Sequence, residues 1–353
     1  MNDALMALYD GKPQNNIAEE FIEQMDAYYA SPSASFHDNT IARRFYQQRL
    51  NHLKFTPYPK DGLVTFGASG TNKCDREIIY KNAKVKAEKS DDLPSRGRQR
   101  RLGSAVIEYF QLDLIHMKKR LGDKAIFTVA ETESGEFAFE DAAQLRKVFE
   151  HNGVKFAITA KPDGILDYDN KQLLFEYKTK ATGIIEMNGK LDYSGAQDDH
   201  LQQVTAESLL FGIREGLIVY ESTQKPSWFS DEDKKNVPKT RKTWRDGSPI
   251  SDLRAEYFYI TDDMQTKLLD GLAKQAALVY NGEVPEITFD MTQKCGFCPF
   301  TKHCKATLSD AEKAKLREID SKMALSNMAY KYQHNNLVEY LKGVREGDEG
   351  EAI

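Results

Sequence analysis

Asp163, Glu176 and Lys178 follow one another as acid, acid and lysine, spaced D-x12-E-x-K, inside the stretch AKPDGILDYDNKQLLFEYKTKA at residues 160–181. Two carboxylates held a few ångströms apart form a hard-oxygen site that suits Mg²⁺ or Mn²⁺ and leaves room for water and phosphate oxygens. A cation so placed lowers the pKa of water and offsets charge building on a phosphate. A neighbouring lysine neutralises charge in the transition state. An E-x-K pair alone says little, because charged and apolar residues alternate on any half-exposed strand. Pro162-Asp163-Gly164 on the preceding strand is what gives the pair weight. Lys180 is a rival for the lysine's role, two residues further along the same face.

The second constellation is made of cysteines. Cys295, Cys298 and Cys304 form C-x2-C-x5-C among Lys, Gly, Pro and Thr, and Cys74 stands alone far upstream. Three so close together in polar company argue against inert buried thiols. Four thiolates are the complement of a [4Fe–4S] cluster and also of a structural zinc. Zinc sites more often come as two close pairs, so one cysteine plus a trio is less typical of zinc. Either metal would pin the region around Cys74 to the C-terminal part, its bonding free energy becoming folding free energy for what it joins.

These residues need elements to position them. Ile17, Phe21, Met25 and Tyr28 recur at helical spacing over 17–29, and a second helix follows the Ser/Pro break at 31–35, up to about Leu53. Residues 103–119, 197–213, 262–280 and 310–342 read as helices, and 125–131, 155–160, 172–179, 216–221 and 255–260 as strands. Asp163 is expected to end one strand, Asp167 to Asn170 to form a turn, and Leu173 to Thr179 to return, with Glu176 and Lys178 on one face and Phe175 and Tyr177 on the other. Strands bracketed by helices predict a mixed α/β core. A polar insertion spans about 222–252, and the tail from Glu346 is acidic and expected to be disordered.

Pro162-Asp163-Gly164 followed by Glu176-Tyr177-Lys178-Thr179 resembles motifs II and III of RecB-type exonucleases in the PD-(D/E)-x-K superfamily. That resemblance implies a restriction-endonuclease-like core, a central mixed sheet flanked by helices, with helical N- and C-terminal additions. It also implies a helix upstream carrying Gly-x-x-x-His, the His being a further metal ligand. Here Gly103 is present and Ile107 occupies the place of the His; Ile cannot bind a metal, and the adjacent Glu108 is the replacement candidate. One step along a helix turns a side chain by roughly 100°, which weighs against a simple exchange. The family's Q-x-x-x-Y helix is matched in part, with Gln203 in position, Gln202 a weaker candidate, and Glu207 where Tyr is usual.

Iron–sulfur members of this family, among them the CRISPR adaptation nucleases and AddB-type subunits, place one cysteine before the nuclease core and three after it as C-x2-C-x5-C. Cys74, Cys295, Cys298 and Cys304 match that layout. The resemblance therefore implies a [4Fe–4S] staple over residues 65–305, preceded by a helical region at 1–64 and followed by a helical region at 306–345 and the tail at 346–353.

The net charge of −5 argues against a protein that coats nucleic acid uniformly, but not against one basic groove. Ten Lys/Arg against five Asp/Glu between Lys73 and Arg101 make such a stretch. Within it, Arg96, Arg98, Arg100 and Arg101 are placed to contact a DNA backbone just before the Gly103 helix, as flexible arginines. Trp228 and Trp244 lie among cations in the insertion, suited to stacking on bases or, more simply, to anchoring a long loop. Gly67 to Lys73 resembles a phosphate loop, but Asn72 stands where that motif needs Gly. No helicase or ATPase motif is present, which leaves room for a separate helicase or recombinase partner.

No apolar run is long enough to cross a bilayer, and the N-terminus lacks signal-peptide character, so an intracellular protein is expected. The leading expectation is a Mg²⁺- or Mn²⁺-dependent deoxyribonuclease working on single-stranded or duplex ends in repair or recombination, with a phage or prophage setting in view. The alternatives are a decayed nuclease core serving as a DNA-binding or assembly module, and a CRISPR adaptation nuclease, which is usually shorter and keeps the His. Oligomeric state has no signature in the sequence.

Overall fold

The computed structural model describes residues 15–31, 36–53, 59–87, 94–225, 251–287 and 298–314. Cys295, Trp228, Trp244, most of the 310–342 helix and the acidic tail lie outside the described residues.

Helix α1 (Asn15–Tyr29) turns Phe21, Met25 and Tyr28 fully inward, as their spacing predicts. Burial of each such side chain contributes roughly 1.5–3 kcal/mol. Helix α2 (Asn39–Asn51) is capped by Asp38, whose carboxylate accepts from the Thr40 and Ile41 amides. Strand β1 (Thr65–Gly67) leads through a short 3₁₀ turn at 68–70 to α3 (Asp75–Asn82). The long helix α4 (Pro94–Leu121) follows, then β2 (Phe127–Val129), β3 (Leu145–His151) and β4 (Val154–Ala160). The centre of the chain is β5 (Gly164–Tyr168), β6 (Lys171–Lys180), α5 (Ile184–Ser194), α6 (Asp198–Phe211) and β7 (Glu215–Ser222). β8 (Leu253–Tyr259), α7 (Asp262–Asn281) and the short α8 (Thr301–Ala306) complete the described elements.

The fold is mixed α/β. One sheet runs β2-β5-β6-β7-β8, antiparallel except for the parallel β6–β7 pair, and a second runs β1-β4-β3. Helices α1 and α4 cover one face of the five-stranded sheet, where Phe21, Met25 and Phe110 meet Phe175, Tyr177 and Val219. On the opposite face Leu174, Ile218 and Tyr220 pack on Met187, Leu191 and Val204. Helix α6 then turns Ala206 and Leu210 toward Phe156, Ile158, Leu272 and Ala276, so it is buried between the two sheets. Central mixed sheets flanked by helices agree with the expected fold class.

Several local expectations change. Asp163 does not end a strand: β4 stops at Ala160 and β5 begins at Gly164, so Asp163 sits in the link that enters the hairpin. β3 and α5 were not expected at all, and α4 starts at Pro94 rather than near Gly103. Arg98, Arg100 and Arg101 therefore ride on the first turns of a helix instead of a flexible linker.

Candidate active site

The β5–β6 hairpin sets the geometry. Its turn residues Asp169 and Asn170 both have positive φ, 44° and 62°, a conformation Asp and Asn tolerate better than most residues and one that two-residue hairpins require. The register pairs Gly164 with Phe175, which puts Asp163 opposite Glu176. The Tyr177 amide donates to Asp163 Oδ2 at 2.8 Å and fixes that carboxylate at the strand mouth. Strand alternation does the rest: Phe175 and Tyr177 face Phe110 of α4, at ring separations of 5.9 and 4.5 Å. Glu176 and Lys178 face the other way, toward α6.

There Lys178 Nζ donates to Glu176 Oε1 and, at 3.0 Å, to Gln203 Oε1. Gln203 in turn donates to Glu207 Oε1 at 3.1 Å. Asp163, Glu176, Lys178 and Gln203 thus line one open cleft of about 440 Å³. All four were expected from the sequence, and the structure brings them together.

The electrostatics are those of a site short of positive charge. Burial first, and Glu207 second, push the Glu176 carboxyl up to about 7. Burial and then the Glu176 charge hold Asp163 well above the ordinary carboxylate range. Burial pushes Glu207 up to about 8. Burial also works against the Lys178 ammonium, yet Glu176, Asp163 and Glu207 together outweigh it and hold its pKa above the usual value. Glu176 is 1% exposed, and both its Oε2 and that of Glu207 are buried without a hydrogen-bond partner. An unsatisfied buried carboxylate oxygen is costly.

Asp163 and Glu176 in the cleft, the latter with an orphaned Oε2, offer the oxygen donors that a hard divalent cation takes. Among the described residues no three His, Cys, Asp or Glu side chains already converge as a finished metal cage. Asp163 and Glu176 are the pair positioned to hold such an ion.

Other expected residues lie elsewhere. Gly103 lies close to β6: a Cβ there would stand 2.9 Å from Thr179 Oγ1, so a larger residue would force a shift. Ile107 packs against the α1–α4 core. Glu108 faces Arg49 at 3.7 Å and is not part of the cleft lining. Lys180 turns to Gln197 Oε1 at 2.8 Å and over the Tyr220 ring, away from the carboxylates, and burial brings its ammonium down to about 8. Arg98, Arg100 and Arg101 are exposed, whereas the Arg96 side chain lies outside the described residues.

The cleft also holds residues that sequence reasoning did not single out: Ser69, Glu140, Asp141 and Lys161. Ser69 belongs to the stretch set aside as a false phosphate loop. Glu140-Asp141 had one available signal, a paired acid directly after the alternating Phe137-Ala138-Phe139.

Three of the cysteines, Cys74, Cys298 and Cys304, lie among the described residues. Cys74 caps α3, its Sγ accepting from the Glu77 amide at 3.5 Å, and Cys304 is buried in α8. Burial raises the Cys74 thiol and pushes Cys298 up to about 11, and Cys74 and Cys304 both add to the Cys298 shift, so the three sulfurs share one neighbourhood. Cys295 lies outside the described residues. Beside them the buried Arg76 donates to Cys304 Sγ at 3.5 Å, to the Pro285 carbonyl at 2.8 Å and to Glu312 at 3.0 Å. It joins α3 to the C-terminal segment without any metal.

No known family model matches the chain, and no curated protein matches it. Among solved structures, that of SSO0001 aligns at a TM-score of 0.41 and 14% identity, over 78% of this chain and 100% of the other. An alkaline exonuclease, LHK-Exo from Laribacter hongkongensis, aligns at 0.34 and 13% identity, over 68% of this chain and 95% of its own. The same exonuclease in complex with dAMP aligns at 0.34 and 12%, over 62% and 90%. Likeness at this level leaves the functional reading to the side chains themselves.

Proposed function

We propose that the chain is a metal-dependent deoxyribonuclease of the PD-(D/E)-x-K type that hydrolyses phosphodiester bonds at DNA ends. The observation that carries this reading is the meeting of Asp163, Glu176 and Lys178 in one open cleft, with a buried Glu176 oxygen left unpartnered. Asp163 and Glu176 would hold Mg²⁺ or Mn²⁺, which supplies Lewis acidity toward the scissile phosphate.

The protein's own contribution is positional and electrostatic. Lys178, hydrogen-bonded to Glu176 and Gln203 at the cleft, would act as a hydrogen-bond donor and charge stabiliser toward the attacked phosphate. Gln203 holds that ammonium in place from α6. Hydrolysis adds water at phosphorus and breaks one P–O ester bond, leaving a phosphate monoester and a sugar hydroxyl. Arg98, Arg100 and Arg101, exposed on α4, are the candidate backbone contacts, which would make binding salt-sensitive.

We further assign Cys74, Cys295, Cys298 and Cys304 to a structural [4Fe–4S] cluster, supported by the approach of three of them across the fold. A place in DNA repair or recombination, alongside a separate helicase or recombinase, follows from the family resemblance.

The deciding experiment incubates the purified protein with end-labelled single-stranded and duplex DNA, with Mn²⁺, with Mg²⁺, or with EDTA. Metal-dependent shortening from the ends, lost in Lys178→Ala, is the expected result. DNA retention without cleavage under every condition would instead support a decayed core that only binds.

A further inference from the structure

Glu140 lines the same cleft as Asp163, Glu176 and Lys178, and the backbone explains how it gets there. The Ala138 carbonyl accepts from the Ile165 amide at 2.9 Å, tying the 138–141 segment to β5 two residues beyond Asp163. The Phe139 ring packs over Gly164, where a Cβ would meet it at 3.3 Å. The amides of Ala142 and Ala143 close back onto the Phe139 carbonyl at 3.0 and 2.7 Å, making a tight turn. Glu140 is therefore presented by a hydrogen-bonded corner built onto the residue that follows Asp163.

The two acids of this corner are not equivalent. Asp141 faces Arg49 at 3.9 Å, in the group that also engages Glu108. Glu140 makes no hydrogen bond among the described residues; burial raises its carboxyl, with the Asp141 charge next, and its own charge is felt by Asp163. Across the cleft, Glu176 is 1% exposed with Oε2 buried and unpartnered. On α4, Ile107 packs against the core and Glu108 turns to Arg49, outside the cleft lining.

We propose that Glu140 is the third protein ligand of the divalent-cation site, taking the seat that Ile107 cannot fill. The proposal rests on the nuclease reading above and adds a ligand that reaches the site from a loop before β3 instead of from α4. A loop-borne carboxylate would give the ion a third oxygen donor without any residue of α4 entering the cleft.

The test is calorimetric titration of Mn²⁺ into the full-length protein without DNA, comparing wild type with Asp163→Asn, Glu140→Gln and Glu140→His. Binding should disappear in Asp163→Asn and weaken at least about tenfold in Glu140→Gln. Glu140→His should recover most of the affinity, because an imidazole restores a donor but not a negative charge, and that recovery separates ligation from a field effect. Wild-type affinity in Glu140→Gln, or a Glu140→His protein as weak as Glu140→Gln, overturns the Glu140 assignment while leaving Asp163 and the nuclease reading standing. No Mn²⁺ binding by wild type, or binding indifferent to Asp163→Asn, overturns both. Melting temperatures in EDTA confirm that each variant is folded.

Discussion

Gln111, 1% exposed in the middle of α4, donates its side-chain amide to the backbone carbonyl of Asp163 at 2.9 Å. The helix that lacks a metal-binding His thus still reaches the site, by gripping the chain at the first carboxylate. We predict that Gln111→Leu lowers Mn²⁺ affinity about tenfold, in the range of lost supporting contacts around metal sites. It should also cost about 1–3 kcal/mol of stability, since the Asp163 carbonyl loses its donor. Unchanged Mn²⁺ titration and melting curves would show that the hairpin alone fixes Asp163.

Lys178 and Lys180 share a strand face but not an environment, one bonded to Glu176 and Gln203, the other to Gln197. Lys178→Ala should reduce cleavage by about a hundredfold or more, the scale of losing one transition-state donor. DNA retention should be nearly intact. Lys180→Ala should keep most of the activity, measured on the same labelled substrates; the reverse pattern would move the role to Lys180.

The buried acids make a pH prediction whose sign is opposite to the usual carboxylate case. Glu176 and Glu207 are raised by burial to about 7 and about 8, so the folded state holds their protons where the unfolded chain has released them. Their contribution to stability is complete below the ordinary Glu pKa of about 4.5 and is lost as pH climbs through 7 to 8. In EDTA the protein should therefore melt at a lower temperature at pH 8.5 than at pH 5.5, by an amount on the order of 3 kcal/mol per acid at most. Glu207→Gln, which keeps the shape and removes one of the two charges, should flatten the curve. A melting temperature that rises steadily across this window would contradict the assignment.

For the cysteines, anaerobically purified protein should show a broad band near about 400 nm with iron present. Cys298→Ala should lose both the band and much of the soluble yield. Zinc in place of iron would keep a metal staple and remove the cluster, whereas a soluble, fully active and colourless Cys298→Ala would count against a staple of either kind.

The hairpin, its two faces and the acid–acid–lysine order could be read from the sequence because strand alternation is a local property. Asp163's position before β5 could not, since Pro162-Asp163-Gly164 fits either the end of one strand or the entry to the next. Helix α6 hides its character for a different reason. Gln203, Thr205, Glu207 and Ser208 are polar and spread around the helix, yet all are buried because a sheet lies on each side of it. Glu140 carries only the faint signal of a paired acid, since it lies far from Asp163 in sequence and reaches the cleft through the Ala138–Ile165 bond and the packing of Phe139 on Gly164. Arg76 looked like part of a basic stretch and is instead buried against Glu312.

The Arg76–Glu312 pair closes a loop 236 residues apart in sequence, and the entire five-stranded sheet lies inside that loop. On a ribosome, Arg76 emerges long before the residues that neutralise it. During that interval Arg76 has no Glu312 to pair with, although the whole β5–β6 hairpin, complete at Lys180, has already been synthesised. The order of synthesis thus places the β5–β6 hairpin on the chain before the residue that closes its outer clasp.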